Sequence, residues 1–270
     1  MRQAGLEMTV TFKASLQGNP WDLWGLSKIF DGTNSDATCI HAKDPAIVRL
    51  DMRKPEDREH FNMFGHEAHV DLTSNRFTLE YPFNGRSMYE LAMPVINRIN
   101  AIGRLLDPEF TPVTLFSCDY PRDKPNSFNL YGPGKPYKNK TGLGEQGQSP
   151  FAHDVFELGS ENSVIDFVME TWTLPTTWAS LYLIYEAIRD NVGGQAELEQ
   201  FNFVTGQELR DFRFAANTCR VISEGIRHAS RLDEATLSHI PLSDACQIIN
   251  KLTVGWLDAW RAEVSARRMG

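Results

Sequence analysis

Four polar side chains of unlike type, Asn217, Arg220, Glu224 and His228, recur at helical spacing within the run 212–230 and make the best set for catalysis in the chain. At about 100° per residue they fall within one stripe roughly 80° wide. Leu209, Phe212, Ala216, Cys219, Ile222 and Ile226 supply apolar surface elsewhere on the same helix. A plainer reading competes. Arg220 to Glu224 and Glu224 to His228 are i,i+4 neighbours, the pairing that laces an ordinary solvated helix face.

A second cluster offers metal coordination instead. His60, His66, Glu67, His69 and Asp71 provide enough nitrogen and oxygen donors for a divalent ion. The histidine pair is three apart rather than four, however, so it misses the helical zinc-protease pattern in which glutamate follows the first histidine. On a strand His66 and His69 would face opposite sides, and a turn would be needed to bring both to one ion. Gly142, Gly144 and Gly147 spell the G-x-G-x-x-G of a dinucleotide loop. No strand leads into it and Pro150, Phe151, Ala152 and His153 follow where a helix should, so we read a flexible loop. Lys124, Lys135, Lys138 and Lys140, with Tyr131 and Tyr137, could touch phosphates or a stacked base, or simply line a solvated linker. There is no G-x-S-x-G nucleophile elbow, and Cys219 sits on the apolar side of its helix, away from His228.

The elements that must position these groups fall into two parts. Thr9 to Leu16 alternates as a strand, and Asn19 followed by Pro20 caps a helix over Trp21 to Phe30. Ala46–Asp51, Ala68–Thr73 and Arg76–Phe83 read as short strands of an antiparallel meander. An amphipathic helix is expected from Ser87 to Leu106 despite Pro94, followed by a strand over Pro112–Cys118. This gives an amino-terminal α+β domain over 1–118, an antiparallel sheet with flanking helices. Residues 119–150, rich in proline and glycine, read as a linker or long loop.

Residues 151–270 then read as a carboxyl-terminal helical bundle. Helices are expected over Ser163–Trp172, Pro175–Asp190, Gly206–Ser230 and from Ser243 onward, with Gly193 and Gly194 ending the second. Ala245, Ile248, Ile249, Leu252, Trp256, Trp260 and Val264 form the last apolar stripe, with Arg261, Arg267 and Arg268 toward its end. Four helices are the simplest way to bury these stripes. Trp172, Trp178, Trp256 and Trp260 are core residues on this reading.

The chain has 270 residues, 41% of them hydrophobic and 23% charged, which places it among globular proteins with a real core. A net charge of -8 argues against generalised binding to nucleic acid or membranes, although a few lysines can still form a local RNA site. The first residues lack the apolar core of a secretory signal, and Met8 could be a natural start. The longest apolar stretch, Trp178 to Ile188, contains Ser180 and Glu186 and falls short of a membrane span of about 20 residues. We expect a soluble cytoplasmic protein, with Cys39, Cys118, Cys219 and Cys246 as reduced thiols.

The run from Phe212 to Ala229, with Pro241–Asn250 and Trp256–Trp260 beyond it, resembles the carboxyl-terminal region of a group of uncharacterised bacterial proteins, and that resemblance implies no activity. A helical domain with arginine and histidine near a helix end also resembles the HEPN ribonucleases. That likeness implies a metal-independent ribonuclease in which His228 is the general acid/base and Arg220 stabilises the phosphorane, with a symmetry mate completing the site. Seven residues separate Arg220 from His228, where the family has four to six, and Arg227 abuts His228. One helix cannot complete the site, because Asn217 and His228 lie about 16 Å apart along the axis.

With no motif in its proper context, the sequence favours a binding or assembly protein that meets a protein partner or a second copy of itself. Arg220, Glu224, Arg227 and His228 with the linker lysines would form the contact face. The ribonuclease, and a metal-dependent hydrolase built on His60, His66 and His69, are the alternatives. No cofactor is implied.

Overall fold

The computed structural model describes residues 8–30, 39–42, 70–74, 77–81, 88–119, 143, 149–218 and 240–269. It is α+β, and the chain divides into two compact units, Met1–His153 and Asp154–Gly270.

In the first unit the alternating stretch near the amino terminus is two strands rather than one. Strand β1 (Met8–Thr11) and β2 (Lys13–Gln17) are separated at Phe12 and belong to different sheets. Phe12 is buried, stacks on Phe77 at 4.7 Å and donates its N–H to the Phe77 carbonyl, so one aromatic pair takes the backbone bond where the strand changes sheet. Helix α1 (Pro20–Ile29) starts as its sequence demands: the Asn19 side chain accepts from Trp21 N at 2.9 Å, and Pro20 stands where a missing N–H costs nothing. Then come β3 (Cys39–Ala42), β4 (Val70–Thr73), β5 (Thr78–Tyr81), α2 (Met88–Leu106) and β6 (Thr114–Asp119).

The sheets are antiparallel throughout, but they are not a meander. β1 pairs with β5, and the larger sheet runs β3-β4-β2-β6, so chain neighbours β4 and β5 lie in different sheets. The expected strand over Ala46–Asp51 lies outside the described residues. Ala14, Leu16, Val70 and Leu72 are all buried in the sheet. Helix α2 contributes Ala92, Val95, Ile96, Ile99 and Ile102 to the core, and its buried Asn100 binds both backbone groups of Val113, accepting from its N–H at 2.8 Å and donating to its carbonyl at 2.9 Å. That pair of bonds fixes the chain just before β6. An apolar residue at 100 would leave two buried main-chain groups unsatisfied, each costing about 1–3 kcal/mol.

Helix α3 (Pro150–Glu161) was not expected from the sequence; Pro150 opens a helix instead of continuing the loop. The reason is a cap, since Ser149 Oγ accepts from Ala152 N at 3.3 Å and proline is favoured at a first helical position. The described remainder of the second unit is α4 (Ser163–Thr173), α5 (Trp178–Asn191), the short unexpected α6 (Gln195–Phe201), α7 (Gly206–Thr218) and α8 (Leu242–Met269). Caps set these boundaries. Asn162 accepts from Val164 N and Ile165 N, Thr177 and Ser180 form a reciprocal capping box, and Gly193 and Gly194 take positive φ after α5. The core holds Trp172, Trp178, Tyr185, Phe212 and Trp256, as expected of the tryptophan stripe, whereas Trp260 is half-buried. Among the described residues no helix is long and apolar enough to cross a membrane.

Gly103 is where the first unit tolerates no side chain. A Cβ there would stand 2.6 Å from the Phe110 ring, which is itself buried. Gly103→Ala should therefore lower stability by about 1–3 kcal/mol through overpacking, read as a fall in the urea midpoint. Adding Phe110→Leu should recover part of the loss, and an unchanged midpoint in the single variant would contradict the close approach.

Candidate functional site

Of the polar stripe, only Asn217 lies within the described residues; Arg220, Glu224, Arg227 and His228 lie outside them. Asn217 Nδ2 donates to the Arg213 carbonyl at 2.7 Å, one turn back on its own helix. The amide is thus engaged in a local bond. The apolar side of α7 is placed as the periodicity requires, with Leu209, Phe212 and Ala216 buried. Its other side carries Arg210, Arg213 and Phe214, the last 40% exposed.

Phe212 anchors this region. Its ring lies 6.3 Å from Trp178, 6.3 Å from Tyr182 and 5.7 Å from Tyr185. From there a polar chain runs outward: the Tyr185 hydroxyl donates to Gln195 Oε1, and Gln195 Nε2 donates to Glu199 Oε1 at 2.6 Å. Burial pushes the Tyr185 phenol above its ordinary range, with the charges of Arg213 and Arg189 offsetting part of that. The guanidinium of Arg189 lies over the Tyr185 ring, 5.6 Å from its centre, and is held charged chiefly by its hydrogen bond to Asp190. A phenol raised in this way stays protonated as a hydrogen-bond donor, so the cluster can orient α6 against α5.

Nearby, α8 is tied to α5 and α3 by directional bonds. Asn191 Oδ1 accepts from the indole nitrogens of both Trp256 and Trp260, at 3.1 and 3.3 Å. Arg261 binds Asp154 at 2.7 Å and Asp258 at 2.7 Å; partial burial disfavours its charge, but the two carboxylates outweigh this and raise its pKa.

In the first unit, His60, His66, Glu67 and His69 lie outside the described residues, as do Lys124, Lys135, Lys138, Lys140, Tyr131 and Tyr137. The glycine motif at 142–147 does too, apart from Leu143, which is buried. A helix does begin three residues after that motif, at Pro150, contrary to the sequence expectation. Among the described residues no three His, Cys, Asp or Glu gather to hold a metal ion. Asp71 is described, and it accepts a hydrogen bond from Ser15 Oγ at 3.2 Å.

That bond belongs to a row the sequence reading did not find. Across the sheet, His41 stands opposite Asp71, Asp71 opposite Ser15, and Ser15 opposite Ser117, while Cys39, two positions from His41, stands opposite Thr73. Cys39 and His41 at strand period were the only local signal. Their alignment with Asp71 depends on a register spanning some thirty residues of sequence, which single-strand patterns do not carry. Both thiols with described side chains, Cys118 and Cys246, are outside any disulfide.

No protein-family model, curated protein or solved structure matches this chain.

At the start of α7, Glu208 Oε2 accepts from Thr205 N at 2.8 Å, Thr205 Oγ1 accepts from Glu208 N, and Glu208 Oε1 pairs with Lys251 Nζ at 3.0 Å. The Thr205 backbone bond and Lys251 together lower the Glu208 pKa to about 2, from an ordinary 4.5. Because the folded value is depressed, this stabilisation is complete above about 4.5 and is lost as pH falls toward 2. Wild type should therefore exceed Glu208→Ala in stability at pH 7 by about 1 kcal/mol, the worth of a cap. The difference should shrink through that acid window. Paired urea titrations across pH would show it, and a gap independent of pH would rule out the ionised cap.

Proposed function

We propose that this is a binding or assembly protein whose helical unit docks a protein partner, or a second copy of the chain, through the outer side of α7. The supporting observation is Phe214, an aromatic side chain 40% exposed on a helix whose opposite side is buried, with exposed Arg210 and Arg213 on the same helix. Aromatic residues and arginine are enriched at protein interfaces and among the residues that dominate binding. The sequence continues that charged character with Arg220, Glu224, Arg227 and His228. Charged groups of this kind govern encounter rate and partner choice, while the aromatic group supplies apolar contact.

Native mass spectrometry of the protein alone and as recovered from its host would give the stoichiometry and the partner mass. In the recovered complex, Phe214→Ser and the charge-reversed pair Arg220→Glu with Arg227→Glu should each weaken association at least about tenfold, the effect of losing one interface anchor. The urea midpoint should stay near wild type. Unchanged association in both variants would sink the proposal. RNA cleavage that survives EDTA and vanishes in His228→Ala would replace it with the ribonuclease reading.

A further inference from the structure

Helices α4 and α5 are joined by the short loop 174–177 and pack against each other, so they run antiparallel. Their inner sides are the buried Ile165, Met169 and Trp172 of one and the buried Leu181, Ile184 and Ile188 of the other. The outer side of the pair carries apolar groups as well. Phe167 is 44% exposed, Leu183 41% and Leu174, in the loop, 51%. Phe167 and Leu183 stand at about the same distance from the loop, one on each helix, which sets them at one level of the pair. Single apolar residues scattered on a surface are ordinary, but three on one two-helix face form a patch of the kind that meets a partner.

The charges beside this patch define the partner's chemistry. Each helical member has a glutamate three residues on, Glu170 after Phe167 and Glu186 after Leu183, a spacing that keeps both on the same side of the helix. The two helices carry four carboxylates, Asp166, Glu170, Glu186 and Asp190, against one guanidinium, Arg189, which is bound to Asp190 and stands 4.0 Å from Glu186. The face is apolar with an acidic rim.

Helix α7 carries the complement in the same unit. Phe212 packs its inner side on α5, and Arg210, Arg213 and Phe214 are exposed on the side away from it. Arg210 and Phe214 are one turn apart, and Arg210 donates to the neutral amide of Gln207 at 2.9 Å. Of the carboxylates on α7, Glu208 is bound to Lys251 and Asp211 accepts from Gln207.

We propose that the outer face of α4 and α5 is the docking site for α7 of a second copy of this chain, with Phe214 seated against Phe167 and Leu183 and the two arginines meeting Glu170 and Glu186. This rests on the reading of α7 as a docking side and adds the surface it docks on. Opposite charges select that pairing of faces, and the aromatic and aliphatic groups supply its apolar contact. Helix α7 cannot turn this side to α5 of its own chain, because Phe212 holds the other side there. The contact is therefore heterologous: each copy offers one face of each kind, and copies join head to tail into a ring or an open chain instead of closing as a twofold dimer.

Sedimentation velocity of the intact chain over a concentration series should show species larger than a dimer, which dissociate as salt is raised. Arg210→Glu with Arg213→Glu disables one face, and Glu170→Lys with Leu183→Lys disables the other. All four positions are exposed, so both variants should keep the wild-type urea midpoint. Alone, each should lose association at least about tenfold, the effect of removing an interface anchor. Mixed in equal amounts they should form a one-to-one pair and nothing larger, because the mixture holds one intact face of each kind. Phe214→Ser mixed with Phe167→Ser repeats the test without a change of charge, and decides the matter if a charge variant fails to fold. A wild-type chain that is monomeric throughout the series, an α4–α5 variant that associates like wild type, or a mixture that stays monomeric overturns the proposal. In each of those cases a complex with another protein of the host that Phe214→Ser weakens would leave α7 standing as a docking side; if that variant changes nothing either, both readings fall.

Discussion

The register of β2 is the constraint on which the first unit rests. This strand is bonded on both edges, to β4 and to β6, so its position sets which residues face each other across most of the larger sheet. A slip of one residue would exchange the two faces, turning Ser15 toward the apolar side and Leu16 away from it. Ser15 and Asp71 penalise such a slip, because a buried hydroxyl and its carboxylate would lose each other. On β6 the bulge absorbs the one mismatch, and Asn100 holds Val113 just ahead of that strand. Packing and polar satisfaction therefore specify the same register, which is what gives the His41–Asp71–Ser15–Ser117 row a defined alignment.

The second unit is organised around aromatic residues with polar handles. Phe212 gathers Trp178, Tyr182 and Tyr185, and the polar ends of the neighbouring aromatics find acceptors: Tyr185 on Gln195, Trp172 on Thr253, and Trp256 and Trp260 on Asn191. Apolar burial alone would permit several rotations of α8 about its axis. Two indoles four residues apart sharing one amide oxygen select one of them, since other rotations leave Trp256 Nε1 buried without an acceptor.

Much of this was legible where a local rule sufficed. Asn19 with Pro20, Gly193 with Gly194 and the apolar period of α2 marked helix limits that the structure reproduces to within a few residues. The same Ncap-proline signal stands at Ser149 and Pro150, but the glycine- and proline-rich stretch before it makes Pro150 read as more loop. The break at Phe12 was not legible at all. Alternation runs on through it, and only the stacking of Phe77, distant in sequence, shows where one sheet ends and the next begins.

The sequence by itself determined the class of fold, the helical character of the carboxyl-terminal half and the faces those helices bury, because caps and periodicity act over a few residues. It also supplied the residue types from which a site could be made. Only the tertiary structure decided which of them meet. Asn217 turned out to bond its own helix, whereas His41, Asp71, Ser15 and Ser117, spread over about a hundred residues of chain, were brought into one row by strand pairing. Strand pairing is a long-range choice, settled by burial of the opposite face and satisfaction of buried polar groups, and neither quantity exists until the strands are side by side.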